Sequence, residues 1–454
     1  MKHIKVLCSI NEKELIISDK QASCLPLILT LISLGGGYFM ANRVELITVL
    51  ERGKIAAGQV NHVYLMLKLK GNSLEQQDRV PLNVSFVVDR SGSMGGSKIE
   101  YTRQALGICL NSMESKDIQS IVIFDHEVDV LIPPVPVINK DIVKHMVKQI
   151  EARGSTNLSG GLVKGANLVG ENLAADRVNR VIVLTDGQAN EGIRDHKGLV
   201  KLAAKVAEKG IGLSCIGVGD DFEEDLLTAM AEAGRGNFYY IENPDNIPAI
   251  FEEELQGLLQ VVGQGVQLEV NLEPGVQVPA VYGYAPVPVA GGLSFSLPDL
   301  YSGEEKILML ELLVPELEAG VHRLLNVTLK YLDAGQQEEF EIQVPLEIWV
   351  GEEAEVKEEE PDPEVEKNLC LFRISAAQKR AIELADDDNF EEAREVLNQF
   401  LEECPSITDE VVLEAVNELK VSYDAMSGMT YDRKIRKNMQ YSSYLTAKNR
   451  RRKR

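Results

Sequence analysis

Between Asn83 and Tyr240, short β-rich apolar runs alternate with longer amphipathic ones, and this alternation constrains the fold more than any other feature of the chain. It is the mark of a parallel sheet with crossover helices on both faces, because a strand covered on two sides has no wet face to carry polar residues. The strands read as Leu82 to Val88, Gln119 to Phe124, Asp129 to Ile132, Arg180 to Leu184, Gly212 to Val218 and Phe238 to Tyr240. Within Lys98 to Met113, the residues Ala105, Leu106, Cys109, Leu110 and Met113 recur at helical spacing. Leu199, Leu202, Ala203 and Val206 do the same in the fourth helix.

After Leu259 the period changes to two. Val266, Leu268, Val270 and Leu272 alternate with mostly polar neighbours, as do Phe340, Ile342, Val344, Leu346 and Ile348, so residues 262–350 read as an antiparallel β-sandwich. Residues 40–75 also read as strands, with Val63, Leu65, Leu67 and Leu69 in alternation, and are expected to join that sandwich, making the α/β domain at 76–260 an insertion within it. A chain of 454 residues exceeds what one core usually serves, which agrees with this division. Helical periodicity returns at 368–428: Ile374, Ala377, Ala381 and Leu384 form one stripe, and Phe390, Ala393, Val396, Leu397 and Phe400 the next. Asp386 to Asn389 turns between them, and Thr408 or Asp409 starts a last helix. The pair resembles one tetratricopeptide-type hairpin, but without a repeated period a capping three-helix unit fits better.

The formal net charge of -23 argues against general affinity for nucleic acid or an anionic membrane. Residues 351–367 are an acidic run that reads as a solvated linker. The tail at 429–454 is the opposite: from Arg433 it holds ten basic residues and no acidic one, which reads as a disordered solubilising end or, failing that, a docking segment. Six cysteines lie scattered without CxxC spacing, read as free thiols, and favour the cytosol.

Residues 24–41 carry no charge, yet only Leu25 to Leu34 is densely apolar, too short a stretch for a membrane span. The mixed, acidic residues before it do not suit a signal peptide. Gly35 to Gly37 can be encoded by a GGAGG-containing stretch just upstream of Met40, where a bacterial ribosome-binding site belongs, so Met40 is read as the true start and residues 1–39 as a doubtful extension.

Chemistry concentrates at three strand ends. The run VSFVVD ends at Asp89 and enters Arg90-Ser91-Gly92-Ser93-Met94, so Asp89, Ser91 and Ser93 stand at the carboxyl edge of the sheet, where open α/β sheets bind ligands. Glycines let the backbone turn closely beneath that edge. Thr156 lies in a second loop, and the strand VIVL delivers Thr185-Asp186-Gly187. These are hard oxygen ligands with no histidine or cysteine among them, suited to one small divalent cation, Mg²⁺ before Mn²⁺ or Ca²⁺. Three neutral hydroxyls and two carboxylates leave such an ion electrophilic, able to accept a further carboxylate from a partner.

In order and spacing, Asp89-x-Ser91-x-Ser93, Thr156 and Asp186 resemble the metal-ion-dependent adhesion site of von Willebrand factor type A domains. The likeness spans roughly residues 81–260 and includes Phe124-Asp125, the Gly217-Val218-Gly219 loop and Gly234 to Tyr240, which resemble framework positions of bacterial members. With its flanking strands and helices, the whole chain looks like bacterial proteins related to inter-alpha-trypsin inhibitor heavy chains. The resemblance implies a Rossmann-like α/β domain with a mostly parallel central sheet. It also implies that Ser91, Ser93 and Thr156 bind the ion directly, while Asp89 and Asp186 act partly through water.

Other motifs fall short. Gly92 to Lys98 has a phosphate-loop setting but lacks GxxxxGK[ST], and His126-Glu127 lacks the second histidine of a zincin. The acidic residues at 220–225 read as a helix start, with a second cation site the lesser alternative. No pairing of nucleophile and general base emerges. The expectation is therefore a non-enzymatic cytoplasmic interaction protein whose cation recruits an acidic residue of a protein partner. Two other readings stay open: an accessory subunit of an AAA-type ATPase system, and a surface adhesin if the apolar N-terminal segment is made and inserted.

Overall fold

The computed structural model describes residues 4–6, 30–33, 36–41, 43–72, 79–187, 189–219, 222–357, 359–403, 409–427 and 431–448. They fall into two units: Leu74–Gly265 with Ala334–Gln337, and the segments Met1–Ser73, Val266–Asp333 and Glu338–Arg454. The first unit is thus inserted in sequence between segments of the second.

Six strands come first: β1 (Ile4–Val6), β2 (Thr30–Ser33), β3 (Gly36–Ala41), β4 (Val44–Leu50), β5 (Lys54–Ala56) and β6 (Asn61–Gly71). The inserted unit then alternates strand and helix. Its elements are β7 (Leu82–Asp89), α1 (Ser97–Ser112), β8 (Ile118–Phe124), β9 (Val128–Pro136), α2 (Lys140–Val147) and α3 (Leu158–Gly170), then β10 (Val178–Thr185), α4 (His196–Glu208), β11 (Gly212–Val218), α5 (Glu224–Ala233), β12 (Phe238–Ile241) and α6 (Ile247–Leu258).

Its sheet runs β12-β11-β10-β7-β8-β9, parallel throughout except for the antiparallel edge strand β9. All eight residues of β7 are buried, which accounts for the unbroken apolar run in the sequence. The strand order reverses between β7 and β10. Loops leaving these two neighbours diverge to opposite sides and open a crevice beyond their carboxyl ends. β9 extends past the expected Ile132 through three prolines, which an edge strand tolerates because one row of its backbone donors faces no partner.

The helix α3 fixes the crevice wall. A Cβ on Gly165 would fall 2.3 Å from Val87 Cγ2, so only glycine lets the helix lie this close to β7. That approach offsets the roughly 1 kcal/mol each glycine costs a helix.

Eight further strands follow: β13 (Val261–Leu272), β14 (Gln277–Tyr282), β15 (Val287–Val289), β16 (Gly292–Ser296), β17 (Leu300–Tyr301), β18 (Glu305–Val314), β19 (Gly320–Asp333) and β20 (Glu339–Gly351). With the first six they form two sheets, β14-β18-β6-β4-β3-β2 and β1-β20-β19-β13-β16-β15, the second also holding β17 beside β13 and β5 beside β20. β6 pairs β18 with Leu67 opposite Leu308, and β4 with Leu67 opposite Thr48, so early and late strands share a sheet. Burial along β20 alternates as its period-two pattern requires. β1 and β5 pair β20 in parallel, a departure from the purely antiparallel expectation.

Helices close the chain: α7 (Glu353–Lys357), α8 (Pro363–Asp386), α9 (Phe390–Glu403), α10 (Glu410–Ser427) and α11 (Arg433–Ala447). The acidic run is therefore not all linker, since α8 begins within it, capped by Asp362 Oδ1 accepting from the amides of Glu364 and Val365. Val365, Leu369 and Phe372 of α8 bury against Met66, Ile307 and Met309 of the sheet. Asp409 caps α10 through the amides of Val411 and Val412, whereas Thr408 lies outside the described residues. Part of the basic end also differs from a disordered tail: α11 buries Met439, Tyr441, Tyr444 and Leu445, and Ser443 hydrogen-bonds Ser375 of α8, while residues 449–454 lie outside the described residues.

Cys109 and Cys215 are free thiols and, like Cys370, are buried, while Cys8, Cys24 and Cys404 lie outside the described residues. No helix among the described residues is long and apolar enough to cross a membrane.

Candidate metal centre

Asp89 ends β7 and Asp186 directly follows β10, and because these strands are parallel neighbours, with Val88 opposite Leu184, the two carboxylates emerge side by side. Both are fully buried. Asp89 Oδ1 accepts from the Ser91 amide at 2.7 Å, which folds the loop back on the strand end, and Asp89 Oδ2 accepts from Thr185 Oγ1 at 2.5 Å. Burial pushes the Asp89 carboxyl up to about 6; the bonds from Thr185 and Ser91 pull the other way, and the charge of Asp186 adds to the rise.

The hydroxyls gather on the same spot. Ser91 Oγ and Ser93 Oγ lie 3.0 Å apart, and Ser93 Oγ donates to Asp186 Oδ1 at 2.8 Å. An octahedral ion with bonds of about 2.1 Å sets adjacent donors about 3.0 Å apart, so these spacings suit a small cation. Thr156 arrives from the loop before α3. Its carbonyl accepts from the amides of Asn190 and Glu191, and the next residue, Asn157, donates its amide to the Asp125 carbonyl and caps α3. A Cβ on Gly187 would lie 3.3 Å from Thr156 Oγ1 and 3.7 Å from Ser93 Oγ, so a bare backbone at this position keeps the space between these hydroxyls open. Ser91 and Thr156 are buried while Ser93 is exposed, which leaves the cluster one face on solvent.

All five residues singled out from the sequence, Asp89, Ser91, Ser93, Thr156 and Asp186, thus stand at one sheet edge. Two more belong beside them. Thr185 holds Asp89, and Lys98, from the first turn of α1, forms an ion pair with Asp186 Oδ2. The sequence signal for Lys98 is its place five residues after Ser93 at a helix start.

A second group, Asp125, His126 and Glu127, brings potential ligand atoms within 4.8 Å of one another. Its acids are already committed: Asp125 Oδ2 lies 2.9 Å from Arg90 Nε and 2.8 Å from Arg153 Nε, and Glu127 Oε2 accepts from Arg153 at 2.6 Å. Burial raises the Asp125 carboxyl, but the Glu127 amide and the two guanidiniums outweigh it and hold the carboxyl below its usual range. At 220–225, Asp220 and Asp221 lie outside the described residues, and α5 starts at Glu224.

A doubly wound sheet with an oxygen-rich crevice at its reversal point defines a class of ligand-binding α/β domains. Residues 83–253 match the von Willebrand factor type A domain, and the chain carries that domain. The Synechocystis sp. protein sll0103 is 27% identical over 321 residues, which is 68% of this chain and 76% of that relative. Inter-alpha-trypsin inhibitor heavy chain H1 of Sus scrofa is 29% identical over 201 residues, 42% of this chain but only 22% of the heavy chain. Among solved structures, a von Willebrand factor type A protein from Catenulispora acidiphila superposes with a TM-score of 0.69 at 15% identity, covering 90% of this chain and 99% of that one. The ArnB paralog VWA2 from Sulfolobus acidocaldarius gives a TM-score of 0.59 at 19% identity, covering 90% and 98%. Both extend the shared fold well beyond the matched domain. Domains of this type are generally protein–protein interaction modules and commonly hold a divalent metal.

Proposed function

We propose that the chain is a non-enzymatic interaction protein in which one divalent cation, Mg²⁺ before Mn²⁺ or Ca²⁺, is held by Ser91, Ser93 and Thr156 with Asp89 and Asp186. The cation captures a carboxylate from a partner protein. The observation that carries this reading is the run of oxygens in which Ser91 Oγ lies 3.0 Å from Ser93 Oγ and Ser93 Oγ donates to Asp186 Oδ1 at 2.8 Å, open to solvent at Ser93. Hard neutral hydroxyls suit a small dication, and two carboxylates balance its charge without satisfying its full coordination shell. An acidic side chain then completes the shell.

The test is capture of cell-extract proteins by the immobilised full chain in Mg²⁺ and again in EDTA, with Ser93→Ala alongside. Partners that elute in EDTA and fail to bind Ser93→Ala support the reading. Capture indifferent to both overturns it.

A further inference from the structure

The ion pair between Lys98 and Asp186 has no place in a site described by its five oxygen donors alone. Lys98 sits in the first turn of α1, its carbonyl accepting from Thr102 Oγ1 at 2.7 Å, and its side chain is 21% exposed. The ammonium reaches across to Asp186 Oδ2 while Ser93 Oγ occupies Oδ1, so both oxygens of that carboxylate are engaged. The loop after β11 leaves it room: a Cβ on Gly219 would stand 3.4 Å from Lys98 Nζ, and the backbone there has φ +75°. The other nearby charges pair among themselves, Arg90 with Asp125 and Asp129, and Arg153 with Asp125 and Glu127.

We propose that Lys98 is a specificity-determining residue, an internal counter-ion of Asp186 that weakens cation uptake and strengthens capture of an anionic partner group. The inference rests on the cation-binding reading above. Two carboxylates alone would neutralise a dication and leave nothing to attract an acidic side chain at long range. With the ammonium in place, the loaded site keeps one net positive charge. The same ammonium repels the incoming cation and competes for Asp186, so the gain for the partner is matched by a loss for the metal. Arginine in this position keeps the charge and loses little, whereas a neutral chain of similar length reverses both effects.

The experiment uses the full chain and two probes, Mn²⁺ alone and then acetate. Calorimetry gives the Mn²⁺ dissociation constant, and water-proton relaxation of the Mn²⁺-loaded protein follows acetate as it displaces metal-bound water. At low ionic strength, Lys98→Met is expected to bind Mn²⁺ about tenfold more tightly and acetate about tenfold more weakly, with Lys98→Arg within about threefold of the parent in both. Lys98→Gln serves as a second neutral variant with the same expected pair of shifts, so that one poorly folded protein does not decide the matter. If the parent chain binds one Mn²⁺ but the neutral variants show no gain in metal affinity, or no loss for acetate, the role of Lys98 is overturned and cation binding stands. If the parent binds no Mn²⁺, the underlying reading fails and this inference falls with it.

Discussion

Two buried polar clusters in the α/β unit use similar residues to opposite ends. Glu254 on α6 is fully buried and takes hydrogen bonds from Ser214 Oγ, Asn237 Nδ2 at 3.0 Å and Tyr239 OH at 2.8 Å. Every donor there points at one acceptor, and the cluster is sealed. At the sheet edge the ratio is reversed: Asp89 and Asp186 stand among the hydroxyls of Ser91, Ser93 and Thr156, whose lone pairs add acceptors, with Ser93 on solvent. A hydroxyl both donates and accepts, so a hydroxyl cluster around carboxylates carries spare acceptor capacity that a cation can use. The inner cluster is closed to solvent; the outer one, on the reading proposed above, is where the cation binds.

The sharpest way to break this contrast is to remove one carboxylate from each. Asp186→Ala is expected to lower Mn²⁺ affinity by a factor of about 1000, near 4 kcal/mol, by calorimetry, with the melting temperature little changed. Glu254→Ala is expected to do the converse. It strands three donors in the interior and should cost about 3 kcal/mol of stability in urea unfolding, while the folded variant takes up Mn²⁺ within about twofold of the parent. A Glu254 variant that loses the metal without losing stability would erase the distinction.

Much of this was legible in the sequence, and the failures have physical causes. The central strands could be read because burial on both faces forces unbroken apolar runs, and the strand ends then located Asp89 and Asp186. β9 reads short because Pro133, Pro134 and Pro136 look like breakers, yet its place at the sheet edge removes that cost. The helix at Arg433–Ala447 is hidden because part of its buried stripe is serine, Ser442 and Ser443, where a small hydroxyl permits close contact with α8 but leaves no apolar period. The place of Lys98 at a helix start, five residues after Ser93, does not by itself reveal its role, since its counter-ion lies 88 residues away and only the β7–β10 adjacency brings the two together.

Titration offers a gentler probe of the open cluster. In the metal-free protein the Asp89 carboxyl sits at about 6 against an ordinary 3.8, so the folded chain binds more protons than the unfolded one between those values. The sign follows: stability is highest below about pH 4 as far as this group is concerned, and falls as pH rises through about 6. At about 1.4 kcal/mol per unit the loss has an upper bound of about 3 kcal/mol, because other groups and solvent relaxation share it. Urea midpoints in EDTA across that window should show the decline, Asp89→Asn should flatten it, and saturating Mg²⁺ should reverse it above pH 6. A decline that persists unchanged in Asp89→Asn would assign it elsewhere.

The smallest expected effect concerns the neighbouring Asp125, His126 and Glu127, whose potential ligand atoms lie within 4.8 Å of one another. Here the acids face guanidiniums rather than hydroxyls. A cation arriving at Asp125 would have to displace Arg90 and Arg153, exchanging two charge-assisted contacts for one ion beside two positive charges. The imidazole of His126 is 50% exposed and stays in water whichever partner it faces. The double substitution His126→Ala with Glu127→Gln should therefore change Mn²⁺ affinity by less than about twofold and leave the stoichiometry at one ion per chain. A drop from two ions to one would show that carboxylate proximity, and not the presence of uncommitted hydroxyl oxygen, selects the cation site in this domain.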